Sequence, residues 1–175
     1  QERTIVEKAY PGDIIGVFDP GIFGIGDSLS DEKMKVQFED FPVFPPEIFA
    51  RVQPKDSLKR KQFVKGITQL AQEGAIQVFE QKDIGIESFI VGVVGVLQLE
   101  VLEYRLINEY SAQLLMNQLA YTVARWVYAE DKKLIDNIKG LDSGMLVYDQ
   151  KDRPVILVNN EWSLNWILER NPGIQ

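Results

Sequence analysis

The chain has 175 residues, of which 45% are hydrophobic, and its formal net charge is −7. This length suits one sizeable domain, or a domain with a fragment of another, and the acidic balance excludes indiscriminate coating of nucleic acid or anionic membranes. The sequence has no cysteine and no histidine, which excludes disulfides, thiolate catalysis, imidazole bases and metal sites built from either residue.

The first forty residues have the composition of short strands separated by turns. Segments Thr4–Ala9 and Asp13–Phe18 are rich in β-branched and apolar residues, and positions 34, 36 and 38 are apolar between polar neighbours. Turn-forming residues occur at Pro11-Gly12, Asp19-Pro20-Gly21 and Gly24-Ile25-Gly26-Asp27. So few strands cannot close a barrel alone. The three prolines within residues 40–47 then predict a stiff linker or the start of an edge strand.

The next seventy residues alternate between the periodicities of strands and helices. Asp56 or Ser57 can cap the first helix, and Gly74 is its expected C-terminal stop. The predicted elements are strands at Ile48–Gln53, Ala75–Glu80, Ser88–Val94 and Ala112–Met116, with helices at about 56–74 and Val96–Tyr110. Their β-α-β-β-α-β order predicts a split βαβ, or ferredoxin-like, domain.

The junction between the third of these strands and the second helix is rich in glycine. Gly92 and Gly95 are expected to let the helix leave a buried strand and pack closely on the sheet. Helical spacing gives the helix two apolar stripes on nearly opposite sides. One stripe consists of Leu99, Leu102, Leu106 and Tyr110, and the other of Leu97, Val101 and Tyr104. The first is expected to cover the sheet and the second to lie under the residues after 116.

Residues 118–175 predict an α+β extension of the same layer. Their elements are a strand at Tyr121–Tyr128, a helix at Glu130–Ile138 ended by Gly140, a hairpin of Met145–Tyr148 with Val155–Val158, and a last helix. That helix carries Trp162 and Trp166, one turn apart. Their large apolar rings predict burial in the core, and stacking on a nucleic-acid base is the alternative.

Motifs for catalysis are absent from the sequence. It has no phosphate-binding G-x-x-x-x-G-K-[ST] loop and no G-x-S-x-G elbow. The Gly-Ile-Gly sequence at 24–26 lacks the rest of a dinucleotide fingerprint, so a turn is expected there. The carboxylate pairs Glu100 with Glu103 and Glu130 with Asp131 are typical of solvated helix faces and helix starts. No catalytic, cofactor-binding or metal-ligating residue is predicted in this chain.

Cations cluster around the first predicted helix of an otherwise acidic protein. With Arg51 they give a local charge of about +5 against the single carboxylate of Asp56. The candidate ribosome or RNA contacts, called here the basic stripe, are Lys55, Lys59, Arg60, Lys61 and Lys65. On the helix, Lys61 and Lys65 lie opposite the apolar positions and are expected to face solvent. A solvated face is the ordinary interpretation, and contact with RNA phosphates is the alternative.

Two long stretches resemble a known family. YPGDIIGVFDPGIFGIGDSL is similar to the closing strands of the second, barrel domain of translational GTPases. FPPEIFARVQPKDSLKRKQFVKGITQLAQEGAIQVF, followed by IVGVVGVLQLEVLEYRLINEY, resembles the domain that comes next in bacterial peptide chain release factor 3. The likeness spans essentially the whole chain. Elongation factor G usually carries a histidine in the region of Gln98 and continues into two further domains, so release factor 3 is the better match.

The resemblance implies an α+β chain whose residues 1–41 are the tail of an antiparallel β-barrel domain. Residues 42–175 would then form the next domain, with a ferredoxin-like core at 46–117 and an α+β extension at 118–175. The implied role is cytoplasmic: a ribosome-bound GTPase promotes departure of class I release factors during translation termination. GTP or GDP and magnesium would bind an N-terminal domain outside this chain. The chain itself would be a ribosome-docking and coupling module without catalysis, and without membrane or DNA partners.

Other classes remain open from the residues alone. The β-α-β-β-α-β order also suits an independent ferredoxin-like module that binds protein or RNA, and paired carboxylates suit a small enzyme. The C-terminal part of another translational GTPase is a further alternative. The chain opens at Gln1 without a methionine and is expected to be a piece of something longer. A phosphate-binding loop far upstream of Gln1 would separate the GTPase hypotheses from the others.

Overall fold

The computed structural model describes residues 4–20, 22–31, 33, 36–39, 44–82 and 88–175. The chain divides into two compact units, residues 1–40 and residues 41–175. In its described residues the second unit has an α+β fold, in which one antiparallel sheet of seven strands carries four helices. The α+β class predicted from the sequence is therefore confirmed.

The described residues of the first unit contain turns but no strand. The strands predicted at Thr4–Ala9 and Asp13–Phe18 are therefore wrong for this chain. A strand needs a neighbour to pair its backbone N–H and C=O groups, and this part of the described chain supplies none. The side chains of Ile5 and Phe18 are accordingly almost fully exposed. Parts of the turn at 19–21, the alternation at 34–38 and the linker at 40–47 lie outside the described residues.

Two of the predicted turns are formed. Gly12, which follows Pro11, has a φ of 97°, and Gly26 has a φ of 94°, values that favour glycine because it has no Cβ. The Asp27 carboxylate accepts a hydrogen bond from the Gly24 N–H at 2.7 Å. The Gly-Ile-Gly sequence is thus part of an ordinary turn.

The elements of the second unit agree in type and order with the predicted ones. The strands are β1 Ile48–Pro54, β2 Gln77–Glu80, β3 Phe89–Val93, β4 Leu114–Leu119, β5 Val123–Trp126, β6 Gly144–Asp149 and β7 Pro154–Val158. The helices are α1 Arg60–Gln72, α2 Val96–Tyr110, α3 Lys132–Asp136 and α4 Glu161–Arg170, with single 3₁₀ turns at Ser57–Lys59 and Leu141–Ser143. Helix α2 begins and ends at its predicted residues.

The strands lie in the order β4-β1-β3-β2-β6-β7-β5, and neighbouring strands are antiparallel. Helix α1 joins β1 to β2, and α2 joins β3 to β4. Each of these strand pairs has one other strand between its members, which is the connection of a split βαβ unit. The β6–β7 hairpin pairs with β2 through Phe79 with Asp149 and Glu80 with Tyr148. The last three strands therefore widen the same sheet at its β2 side.

All four helices lie on one face of this sheet. Ala50, Val52 and Val78 are buried in a cluster with residues of α1 and α2. Ile156 and Val158 are buried in a cluster with residues of α3 and α4. Side chains alternate along a strand, and the registers of β2 with β6 and of β6 with β7 put these five residues on the same side. The helices therefore form one layer over the sheet.

The opposite face of the sheet is also buried, because the sheet curls. Its two edge strands, β4 and β5, are joined only by residues 120–122, a link that spans at most about 14 Å. Seven flat strands would separate the edges by roughly 29 Å. The sheet must therefore bend around its inner face. The residues buried there are Phe49, Phe79, Ile90, Ala124, Val147, Val155 and Leu157.

Both ends of the first helical segment have the predicted stops. The Asp56 carboxylate accepts from the Leu58 N–H at 2.9 Å, capping the 3₁₀ turn that leads into α1. At the other end Gly74 has a φ of 70°. The Gly74 N–H donates to the Ala71 carbonyl and the Ala75 N–H to the Leu70 carbonyl, which is the Schellman pattern.

The glycines of the strand-to-helix junction have different roles from those expected. A Cβ at Gly92 would lie 2.9 Å from atoms of Phe79 and Pro46, which are on the inner face of the sheet and not on the helix side. A Cβ at Gly95 would meet nothing within 4 Å, so close packing does not require glycine there. The close approach between helices is made at Gly66 of α1, beside α2.

The two apolar stripes of α2 have different environments. Leu99, Leu102 and Leu106 of the first stripe are buried, as predicted. The second stripe, Leu97, Val101 and Tyr104, is 68%, 44% and 67% exposed, so the prediction that the extension covers it is wrong. The extension joins the β2 side of the sheet through backbone hydrogen bonds. It therefore lies beside the helical layer of α1 and α2 and does not cover α2.

Gln98 ties the start of α2 to the end of α1. Its Oε1 accepts from the N–H groups of Val94 and Gly95 at 2.9 and 3.1 Å, and its Nε2 donates to the Ala75 carbonyl at 3.1 Å. Helix starts leave N–H groups without intrahelical partners, and the side chain supplies acceptors for them. Gln98 thus has a structural role at the start of α2.

We expect Gln98→Ala to lower the free energy of unfolding by about 1 to 2 kcal/mol, because it removes the cap and the link to Ala75. Gln98→Glu is the matched control, since it keeps an acceptor oxygen for the N–H groups of Val94 and Gly95 but has no donor for the Ala75 carbonyl. Urea denaturation followed by circular dichroism measures both changes. An alanine variant as stable as the wild type would show that these hydrogen bonds contribute nothing net.

Candidate functional site

The basic stripe begins in the turn before α1 and continues along the outer face of that helix. Lys61 and Lys65 are exposed and, four residues apart, project from the same side of the helix. Phe63 and Ile67, on the other side, are fully buried. The prediction that these two lysines face solvent is confirmed.

The other three members of the basic stripe lie at the entrance to the helix. Lys55 is exposed, whereas Lys59 and Arg60 are half-buried. The Lys55 N–H donates to the Gln113 carbonyl at 2.9 Å, so its backbone is held beside the start of β4. The stripe therefore follows one short segment whose two ends are fixed by β1 and by the buried face of α1.

Arg51, which the sequence groups with these cations, lies apart from them. In β1 it alternates with Ala50 and Val52, which face the helices, so Arg51 is on the opposite side of the sheet. Its guanidinium donates to Gln81 Oε1 at 3.2 Å and to Ser88 Oγ at 3.4 Å. The charge of the surface stripe is therefore smaller than the sequence count suggests.

Four lysines of the stripe have no ion-pair partner among the described residues. Among the described residues no carboxylate lies within ion-pair distance of the ammonium groups of Lys55, Lys59, Lys61 or Lys65. Two other exposed cations are paired: Arg125 with Glu161, and Lys82 with Asp152. Unpaired cations along one helix face suit a polyanion better than a surface of alternating charges.

The exposed face of α4 carries a stack of three side chains. The rings of Trp162 and Trp166 have centroids 5.8 Å apart and an interplanar angle of 15°, and the Arg170 guanidinium lies 4.0 Å from the Trp166 ring centroid. Trp162 is 71% exposed and Trp166 39%. The prediction that both tryptophans belong to the core is therefore wrong. The helix buries Leu164 and Ile167 instead, and their spacing already puts the tryptophans on the opposite side.

Trp126, the third tryptophan, is held by a polar partner. Its Nε1 donates to Asp149 Oδ2 at 2.9 Å, and the Arg153 guanidinium lies 5.6 Å from its ring centroid. Although burial raises the pKa of the Asp149 carboxyl, hydrogen bonds from Trp126 and Arg153 hold that pKa below its usual range. This carboxylate therefore remains charged and fixes the Trp126 ring.

The described residues offer no site for a metal ion, since they contain no group of three or more acidic side chains placed to bind one. In the same part of the chain every buried side-chain nitrogen or oxygen has a hydrogen-bond partner. Glu100, Glu103, Glu130 and Asp131 are exposed, and Asp131 caps α3 by accepting from the Lys133 N–H at 3.0 Å. The interpretation of these carboxylates as a solvated face and a helix start is confirmed.

None of the helices in the described segments combines the length and the apolar character needed to cross a bilayer. The main exposed features of the second unit, among its described residues, are the basic stripe, the α4 stack and the second stripe of α2. Beside that second stripe lies a shallow apolar depression of about 230 Å³ lined by Leu70, Ile76, Leu97 and Val101. The described residues therefore present several surfaces that are suited to binding.

Comparison with known proteins identifies the family. Residues 38–168 match the family model described as class II release factor RF3, C-terminal domain. The chain is 48% identical over 174 residues to peptide chain release factor 3 of Symbiobacterium thermophilum. It is 42% identical to the proteins of that name from Listeria welshimeri and Enterococcus faecalis. In each case the match covers 99% of this chain and 32% of the relative, so the chain spans about a third of their length. The chain belongs to the peptide chain release factor 3 family, of which it contains the C-terminal domain.

Proposed function

We propose that this chain is the ribosome-docking and coupling module of a cytoplasmic GTPase that acts in translation termination. In this proposal the whole protein promotes dissociation of class I release factors from the ribosome. The single observation that supports the docking role best is the row of lysines Lys55, Lys59, Lys61 and Lys65, which have no carboxylate partner among the described residues. Family membership supports the role in termination, because the relatives are named peptide chain release factor 3.

The proposed contact is between the basic stripe and ribosomal RNA phosphates. A protein with a net charge of −7 gains from turning its few clustered cations toward a polyanion and its acidic surfaces away from it. The five contacts in the proposal are Lys55, Lys59, Arg60, Lys61 and Lys65. Helix α1 is held by its buried face and by the hydrogen bonds at its two ends. A phosphate contact on α1 would therefore be made by a helix that is packed firmly on the sheet.

The domain arrangement is part of the same proposal. Residues 46–117 would be the ferredoxin-like core of a domain covering 42–175, and residues 118–175 its extension. The split connections of β1 to β4 and the addition of β6 beside β2 support this division. Residues 1–41 would be the tail of a barrel domain. Their apolar exposed side chains, such as Ile5 and Phe18, suit strands that pair with other parts of a longer protein.

We expect Lys61→Glu with Lys65→Glu to weaken ribosome binding by the full-length protein about tenfold or more at low salt, because two phosphate contacts are lost. The slope of log affinity against log salt should fall by somewhat under one unit for each contact. Co-sedimentation with ribosomes at several salt concentrations measures both quantities.

The matched control is Lys132→Glu with Lys133→Glu, which makes the same charge change on α3. Both lysines are exposed, and glutamates near a helix N-terminus are tolerated well. If the α1 and α3 variants bind equally, the effect is one of net charge. If the α1 variant binds ribosomes as well as the wild type at every salt concentration, the proposed contact is wrong. The basic stripe is then an ordinary solvated face.

In this proposal, the binding and hydrolysis of GTP belong to the part of the protein that lies outside this chain. GTP or GDP and magnesium would bind outside this chain, because the residues present do not fit them: the sequence has no phosphate-binding loop, and the described carboxylates form no metal cluster. We therefore expect isothermal calorimetry of this chain with GTP or GDP to show no saturable binding in the micromolar range. Such binding, if observed, would contradict the assignment.

A further inference from the structure

We infer that the tryptophan stack of α4 is a platform for an unpaired RNA base, which stacks on the free face of Trp162. The inference rests on the proposed function, since the ribosome supplies the RNA. It names a second RNA contact, separate from the basic stripe, and a different chemistry of recognition. The basic stripe would attract phosphates, whereas the α4 stack would bind the flat face of a base.

The stack is already assembled and has one open end. Its members Trp162, Trp166 and Arg170 follow one another at intervals of one turn, so Trp166 lies between the other two. One face of Trp162 packs on Trp166 at an angle of 15°, and yet 71% of the Trp162 residue is exposed. Its second face is therefore open to solvent. A base stacked there would extend a nearly parallel aromatic stack, which is how proteins bind single-stranded nucleic acid without reading its sequence.

The platform is rigid because the helix that carries it is anchored. Leu164 and Ile167 are buried against the sheet. The Asn160 side chain caps the helix by accepting from the Ser163 N–H at 2.9 Å and from the Ser163 hydroxyl at 3.1 Å. A binding surface that is ordered before its ligand arrives loses less conformational entropy on binding.

The shape of the exposed surface favours a base over a protein partner. Exposed polar residues flank the two rings: Glu161, Asn165 and Glu169. A stable protein interface needs about 800 Å² from each partner with a continuous apolar centre, and one narrow aromatic strip between polar side chains does not provide it. A single nucleobase needs only the ring face.

The charges near the stack predict a weak salt dependence. Among the described residues Arg170 has no carboxylate partner, and Lys139 lies beside it, held through hydrogen bonds between its backbone and the Asn171 side chain. Glu169 offsets part of this charge. Stacking should therefore contribute more than phosphate contact, and the slope of log affinity against log salt should be shallower than for a site with several lysines.

The test is a fluorescence titration of this chain with single-stranded decamer oligo(A) and with duplex RNA of the same length. Trp162→Leu removes the open ring but keeps an apolar residue suited to a helix. Trp126→Leu is the matched control, because Trp126 lies on β5 outside the stack. Thermal melting by circular dichroism establishes that both variants are folded, and Trp162→Phe supplies a second variant that keeps an aromatic face.

We expect saturable quenching by the single strand, an affinity about tenfold lower in Trp162→Leu, partial recovery in Trp162→Phe, and no change in Trp126→Leu. Equal binding of duplex and single strand, or no effect of Trp162→Leu, would overturn the inference. A third result would also overturn it: RNA does not quench the fluorescence of the wild type, and yet Trp162→Leu weakens ribosome binding. The partner of the stack would then be a ribosomal protein. The docking role of the basic stripe is tested separately by the Lys61 and Lys65 variants, whose failure would leave this result unchanged.

Discussion

Leu102→Ala is expected to lower the free energy of unfolding by about 2 to 5 kcal/mol, whereas Leu97→Ala should change it by less than about 0.5 kcal/mol. Both residues are leucines of α2, but Leu102 is 1% exposed and Leu97 is 68% exposed. Truncating Leu102 removes apolar contacts in the buried cluster that α1 and α2 form with the sheet, and leaves a cavity. Truncating Leu97 removes a side chain that water already surrounds.

Urea denaturation measured at equal protein concentration compares the two variants with the wild type. The midpoint should move in Leu102→Ala with an unchanged dependence on denaturant, since the unfolded surface is almost the same. Val101→Ala serves as a second exposed control. If Leu97→Ala and Val101→Ala cost as much as Leu102→Ala, the second stripe of α2 must be covered by another molecule or by another copy of the chain under the conditions used.

Gly66→Ala should destabilise the second unit by about 1 to 3 kcal/mol, although alanine is the better helix former by about 1 kcal/mol. An added Cβ would lie 2.5 Å from Leu106 Cδ2 and 2.9 Å from Tyr110 Cγ, distances at which atoms must move. Leu106 is fully buried, so its side chain has little freedom to move aside. Overpacking at the α1–α2 contact therefore outweighs the gain in helix propensity.

A double-mutant cycle isolates this clash. Leu106→Ala removes the atom nearest the new Cβ, so the double variant Gly66→Ala with Leu106→Ala should be more stable than the sum of the two single changes predicts. Thermal and urea unfolding give the three free energies. If Gly66→Ala alone raises the stability, the helices separate at little cost, and the close approach at Gly66 is not a constraint on the fold.

Element type and order were predictable because they depend on local patterns. Apolar residues at helical spacing, the cap at Asp56 and the stop at Gly74 identified α1. The same reasoning located α2 between Gly95 and Ser111 and the hairpin of β6 with β7. These signals lie within a few residues of the elements that they specify. The exposure of Lys61 and Lys65 followed from the same periodicity, since a helix with one apolar side must turn the other to solvent.

Local patterns were misleading where a segment needs a distant partner. The strand-like composition of 4–9 and 13–18 is not sufficient for a strand, because backbone pairing requires a neighbour that these described residues lack. Arg51 is close in sequence to the basic stripe, but it lies on the other face of the sheet because side chains alternate along β1. Its separation follows from the layered structure.

By itself the sequence determined the family, the α+β class, the order of the elements and the buried side of each helix that has a single apolar face. Only the tertiary structure decided which stripe of α2 is covered and which of the two apolar sides of α4 faces the sheet. Both stripes of α2 are apolar, so periodicity alone cannot distinguish them. Strand pairing distinguishes them. Because β6 pairs with β2 at Phe79 and Glu80, the extension lies beside α2. Leu97, Val101 and Tyr104 therefore remain exposed to solvent.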